Sequence, residues 1–259
     1  HARFPAEADV LVFDEIHKYK RSKNHIKGIY DMYKERYQIV VTGSARLDVY
    51  RKGGDSLMGR YHYYRLHPFS LRELSCNEPK VDLHGEPDFL SATDELEQHY
   101  EKLKKNGGFP EPFFEGDETT VRRFHNERLD RLVREDIRDL ESVKDISALQ
   151  ILGSILPSKV GSLFSLNALR EDMDVAHKTI AHWVEIFERM YYHFRIYPFQ
   201  STLIKSLRKE PKLYMWDWSQ VFDDAARLEN MVASHLLKYV HFLQDSAGQI
   251  FVFFILAVA

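Results

Sequence analysis

Two adjacent carboxylates, Asp14 and Glu15, close the apolar run Val10–Phe13 in "ADVLVFDEIHKYK". Neighbouring anions repel, so a chain that sets them together at a strand end can use them to hold a cation or a water molecule. One carboxylate there can hold Mg²⁺, commonly through water, and the next can orient or deprotonate a water for attack on a γ-phosphate. A strand ending at a solvated acidic turn is the other reading of the same residues. Further on, "VVTGSAR" sets Thr42 and Ser44 after a second apolar run. Their hydroxyls can bond the attacking water or a phosphate oxygen, or they can cap the turn. Arg60, in "SLMGRY", can reach a γ-phosphate across a subunit boundary and stabilise the charge that develops there. Arg46 competes for that role, and either can be a surface arginine.

These groups need elements to position them. Val10–Phe13 is short, apolar and β-branched, which predicts a buried strand. Ile26, Ile29, Tyr30 and Tyr33 share one helical face. Ile39–Thr42 reads as a second buried strand, stopped by Gly43. Strand, helix and strand in this span form a βαβ unit, whose crossover makes the strands parallel. Side chains at the carboxyl ends of such strands face the crevice where α/β sheets bind ligands. "YHYYRLHPFS" reads as a third strand ended by Pro68. Residues 75–117 are rich in Gly and Pro, with a helix near Asp94–Lys105 and a rigid turn at "NGGFPEPF".

A long helix is expected over Glu118–Leu140, its arginines and acids interleaved on a self-paired, solvated face. Shorter helices come next at Ile146–Leu156, Leu166–Glu171 and Val175–Met190, the last with Asp174 as its N-cap. Ile180, Trp183, Phe187 and Met190 line its buried side. "YYHFRIYPFQ" alternates and predicts a hairpin; three helices and a wing make a winged-helix module. "KLYMWDWS" reads as a strand, followed by a helix near Arg227–Leu243. Trp183, Trp216 and Trp218 read as packing anchors.

The chain has 259 residues, with 36 Lys+Arg against 39 Asp+Glu. That balance gives no overall basic excess to drive binding to nucleic acid or to a membrane. The single cysteine, Cys76, excludes a disulfide framework and a cysteine-based zinc site, and a reducing cytoplasm fits. The 13 histidines are scattered, without HExxH or clustered metal spacing. The apolar end "IFVFFILAVA" is about half a membrane span and reads as a buried strand or a truncated end, so no membrane partner is expected. The exposed face of Val175–Met190 carries His177, Lys178, His182, Glu185, Glu188 and Arg189, a weak footprint for DNA.

"VLVFDEIHKYK", "IVVTGSARLDVYRKGGDSLMGRYHYYRLHPFSLREL" and "GGFPEPF" occur in order with suitable gaps. In this the sequence resembles the prokaryotic AAA-type (P-loop) ATPases whose core is followed by a winged helix and a C-terminal nuclease-like domain of unknown function. The resemblance spans residues 8–245. It implies an α/β fold: a partial parallel AAA-type sheet over residues 1–75, a helical connector over 76–144, a winged helix over 145–205 and the start of a nuclease-like segment over 206–259. It implies ATP and Mg²⁺ as cofactors and a homo-oligomer. Asp14 and Glu15 would be the Walker B pair, Asp14 on the metal and Glu15 on the water. Thr42 or Ser44 would be the sensor, Arg60 the arginine finger, and Glu229 the first acid of the nuclease-like part. The phosphate loop G-x-x-x-x-G-K-[ST] does not occur; "RKGGDS" has its glycines and lysine in the wrong order. In the family that loop precedes the Walker B strand. The resemblance therefore implies a fragment without its P-loop, inactive alone, with no complete D…E-x-K cleavage site after Glu229. A DNA-binding or nucleotide-switched module without catalysis is the alternative.

Overall fold

The strand Val10–Phe13 (β1) pairs in parallel with Gln38–Val41 (β2), and the helix Ser22–Tyr33 (α1) makes the crossover between them. The fold is taken from a computed structural model, which describes residues 4, 7–16, 19, 22–43, 60–75, 93–137, 145–248 and 254–255. It divides into two compact units, His1–Tyr63 and Tyr64–Ala259.

In the first unit, Leu11, Ile29 and Tyr37 are buried. Phe4 meets Phe13, Tyr33 and Tyr37 edge-on. β1 is not the fully buried strand its composition predicts: Val10 is 45 % and Val12 62 % exposed, while Leu11 is 7 %. The pleat sends alternate side chains to opposite faces, and among the described residues only one face is covered.

The expected third strand is also absent, because residues 60–70 form no ladder. In the second unit Tyr64 and Leu66 point outward, at 66 % and 98 % exposed, while Arg65 and His67 reach the long helix Asp224–Ala247. The alternation is real, but it belongs to an extended stretch held by side chains rather than by a neighbouring strand.

That stretch runs into a short helix, Leu71–Ser75 (α2). Asp94–Asn106 (α3) comes next, capped by Thr93 and ended by Gly107 at φ +80°. A side chain at Gly107 would come within 2.5 Å of Asp217 Oδ1, so glycine serves both conformation and contact. Pro110 opens the next helix, Pro110–Glu115 (α4). Asp117 caps Glu118–Arg131 (α5). No residue of α5 is buried; burial starts in the π-helical turn Leu132–Ile137, through Leu132, Val133 and Ile137. The expected helix therefore changes winding at Leu132, and residues 138–140 lie outside the described residues.

Ile146–Ile155 (α6), Leu166–Met173 (α7) and His177–Arg189 (α8) pack around Leu149, Leu152, Leu156, Leu169, Ile180, Val184 and Phe187, each at most 1 % exposed. Asp174 is not the N-cap of α8. It takes a left-handed conformation at the C-terminus of α7, its N–H bonded to Arg170 O and Glu171 O, and Ala176 precedes α8 without a side-chain cap.

The hairpin expected within Tyr191–Gln200 is not formed. His193–Pro198 (β3) instead pairs antiparallel with Lys212–Met215 (β4) and parallel with Phe254–Ile255 (β5). Between β3 and β4 lies the short helix Leu203–Leu207 (α9). Leu163 bridges to Lys212. Asn230, on Asp224–Ala247 (α10), accepts from Met215 N and donates to Met215 O, both at 2.8 Å. The three tryptophans are anchors as expected: Trp183 and Trp216 are 6 % exposed and Trp218 1 %. Of the apolar end, only Phe254 and Ile255 are described. Among the described residues no helix is long and apolar enough to cross a membrane.

Candidate functional site

In-register pairing sets Phe13 opposite Val41, and Thr42 N donates to Phe13 O at 2.9 Å. The residues just past the two strands therefore emerge side by side. Thr42 Oγ1 donates to Asp14 Oδ1, joining the two strand ends through side chains. Asp14 is exposed and Glu15 and Thr42 are partly exposed, so all three are open to a ligand. Glu15 adopts φ +52°, a left-handed conformation uncommon outside glycine. Such backbone persists where its surroundings over-determine it and clusters at functional sites.

Of the other expected site residues, Arg60 does not join Asp14 and Thr42; its Nε donates to Asp31 Oδ1 at 3.0 Å, on α1. Ser44 and Arg46 lie outside the described residues. The arrangement thus offers an exposed carboxylate tied to a hydroxyl, with a second carboxylate beside it. Such hard oxygen donors suit Mg²⁺.

The second unit holds two polar clusters that sequence reading missed. Asp217 lies just past β4 and is fully buried. Its Oδ1 accepts from Ser219 N at 3.2 Å and Ser219 Oγ at 2.5 Å, and its Oδ2 lies 3.4 Å from His125 Nε2. Burial pushes this carboxyl upward, but His125, Arg128 and Ser219 outweigh it and hold the group below the usual carboxylate range. Serine, histidine and aspartate are together here, yet they form no nucleophilic relay. A relay needs the serine and the carboxylate on opposite imidazole nitrogens; here Ser219 Oγ also meets His125 Nε2, at 2.9 Å. Asp217 instead caps the turn Trp218–Gln220, and Trp218 Nε1 donates to Leu103 O at 2.8 Å.

The other cluster joins Arg65 and His67 to His241 and Asp245 of α10. Only their chain separation hid it, since nothing local links positions more than 170 residues apart. Among the described residues no group of three or more His, Cys, Asp or Glu side chains could hold a metal ion. Glu229 is engaged: its Oε1 accepts from Lys212 Nζ and Tyr214 OH, both at 2.7 Å. Burial raises its carboxyl, and these two partners pull it below its ordinary value.

Residues 1–75 match a family described as "AAA domain". Residues 97–221 match a "Domain of unknown function (DUF8612)". The chain is 26 % identical over 239 residues to the uncharacterized protein MJ1544 of Methanocaldococcus jannaschii, covering 88 % of this chain and 53 % of that protein. It is 25 % identical over 224 residues to MJ1637 of the same organism, covering 80 % and 46 %. The chain spans about half the length of the curated relatives it matches. No solved structure matches it at significance.

Proposed function

We propose that this chain carries the metal- and water-holding half of an AAA-type ATP hydrolysis site. The observation that carries the reading is the side-chain bond from Thr42 to Asp14 across two register-matched parallel strand ends, within the segment similar to AAA domains. Asp14 would hold Mg²⁺, which would neutralise charge on the transferred phosphoryl group. Thr42 fixes the Asp14 carboxylate with its one O–H proton, and either Ser44, or Thr42 on releasing Asp14, reads the phosphate oxygen. Glu15 orients the attacking water and accepts its proton. Arg60 acts from a neighbouring subunit of a homo-oligomer, leaving Asp31 to do so.

No G-x-x-x-x-G-K-[ST] occurs in these 259 residues, so in this reading the phosphate-cradling loop is supplied by further sequence and the present chain does not turn over ATP by itself. The sequence of α6, α7, α8, β3 and β4 supports a winged helix beyond the core. The weak charge of the exposed α8 face supports a packing role for it over DNA binding. In the nuclease-like reading of the segment from β4 onward, the pairing of Glu229 with Lys212 and Tyr214 supports an inert site.

A coding sequence that reads G-x-x-x-x-G-K-[ST] upstream of His1 is the first expected result. In the protein so extended, Glu15→Gln lowers ATP turnover by about 10²–10⁴, the range for loss of a general base, while Mg-ATP binding is kept. Tight Mg-ATP binding by the 259-residue chain alone in a calorimetric titration would show that the missing loop is dispensable and overturn the reading.

A further inference from the structure

We infer that Arg65–Glu73 is an acid-releasable latch on α10, closed while His67, His235 and His241 are uncharged. The stretch has no strand partner, and one backbone bond, Phe69 N to Gly108 O at 2.7 Å, ties it to α3 and α4. Phe69 meets Phe113 and Phe114 edge-on, and Phe69, Leu71 and Leu74 pack against Leu103, Phe113, Trp218 and Met231; the polar contacts described next run to α10. Arg65 donates from N and Nε to Asp245 Oδ2, both at 3.0 Å, and from Nη2 to Asp245 Oδ1 at 2.6 Å and Gln244 Oε1 at 2.8 Å. His67 Nε2 lies 2.9 Å from His241 Nδ1. Lys238 Nζ donates to Pro68 O at 2.9 Å and to the Glu73 carboxylate. Leu71 N donates to His235 Nε2 at 3.1 Å.

Two of these contacts require bare imidazole nitrogens. His235 Nδ1 lies 2.7 Å from Met231 O, so it carries the ring proton and leaves Nε2 as the acceptor for Leu71. A proton on Nε2 would set two donors face to face. Between His67 and His241 one ring nitrogen donates and the other must accept, so charging both rings breaks that bond too. The surroundings add to this. Arg65 and Lys238 place cations beside the pair, and Asp245, the anion there, is already bonded by Arg65. Glu73 faces His235 but is offset by Lys238. Trp216 covers His67 at 4.5 Å and Trp218 covers His235 at 5.6 Å. Burial, then these cations, pushes His67 down to about 3; burial and Arg65 push His241 down to about 4; burial lowers His235.

Linkage sets the sign. A histidine whose value is lowered in the closed form favours closure above its ordinary value of 6.5, and that preference fades as pH falls below it. His67 and His241 each multiply the opening constant about tenfold between pH 7.5 and 5.5, together about a hundredfold, and His235 acts in the same direction.

Hydrogen exchange on the full chain, corrected for intrinsic rates, tests this at the Arg65 and Leu71 amides. The opening constant is expected to rise at least about a hundredfold from pH 7.5 to 5.5, with the β3 amides still protected. His241→Gln should make that rise about tenfold smaller. A rise of at least tenfold that shrinks in the variant supports the latch. A rise below tenfold, or exchange at Leu71 only together with β3, overturns it.

Discussion

Asp14 and Asp217 both come after apolar strands, yet they live in opposite surroundings. Asp14 is exposed at the end of β1 and takes one hydroxyl from Thr42. Asp217 is wholly buried past the end of β4, gripped by Ser219 and flanked by His125 and Arg128. A carboxylate that must meet a ligand keeps lone pairs and space free. One that holds a turn in place spends them on neighbours, since a buried charge left unpaired is costly. Sequence signature alone does not separate the two; access does.

The contrast can be broken at several strengths. Leu152→Ala, in the fully buried core of the second unit, should cost about 4 kcal/mol in denaturant unfolding, and Leu11→Ala, on a strand with one open face, about 2 kcal/mol. Equal losses would mean that the two cores are equally closed. Next, Asp217→Asn should destabilise by about 3 kcal/mol, because it removes the fully buried anion that faces His125 and Arg128. Asp14→Asn should leave stability within about 0.5 kcal/mol while removing Mg²⁺-dependent turnover in the extended protein.

Acid sharpens the comparison further. Burial lowers His193 to about 4, and its Nε2 lies 3.0 Å from Val184 O. The neutral ring is therefore favoured by folding. His193 alone should contribute stability that is full above pH 6.5 and falls by about 2 kcal/mol by pH 5, measured as the difference in pH dependence of the unfolding midpoint between the chain and His193→Gln. Asn230→Ala should also cost about 2 kcal/mol, since it orphans both polar groups of Met215. The smallest effect is expected at the half-exposed Arg60–Asp31 pair: Asp31→Asn should change stability by less than about 0.5 kcal/mol.

What could be read in advance was what local chemistry dictates. Val10–Phe13, the helix ending at Tyr33 and Gln38–Val41 announce themselves by period and composition, and a βαβ crossover allows one pairing direction. That was enough to bring Asp14 and Thr42 to one edge. Gly107 likewise marked a helix end, whereas the stretch from Pro110 reads as a rigid turn and forms the helix α4. Partnership at long range was not legible. The alternation at Tyr64–His67 suits a strand, and nothing nearby tells that Arg65 and His67 answer to residues far along the chain in α10. The alternation at His193–Pro198 suits an adjacent hairpin, whereas α9 intervenes and Lys212–Met215 supplies the partner. Asp174 carries the residue type of an N-cap, but the left-handed turn after Met173 took it first.

The paired bonds between Asn230 and Met215 have one more consequence. The amide imitates a peptide group, so the outer margin of β4 ends against a side chain, while Leu163 takes the opposite end at Lys212. An intruding peptide finds neither place vacant for ladder bonding. The three-stranded sheet is thereby sealed on this flank against strand invasion and fibril-like stacking.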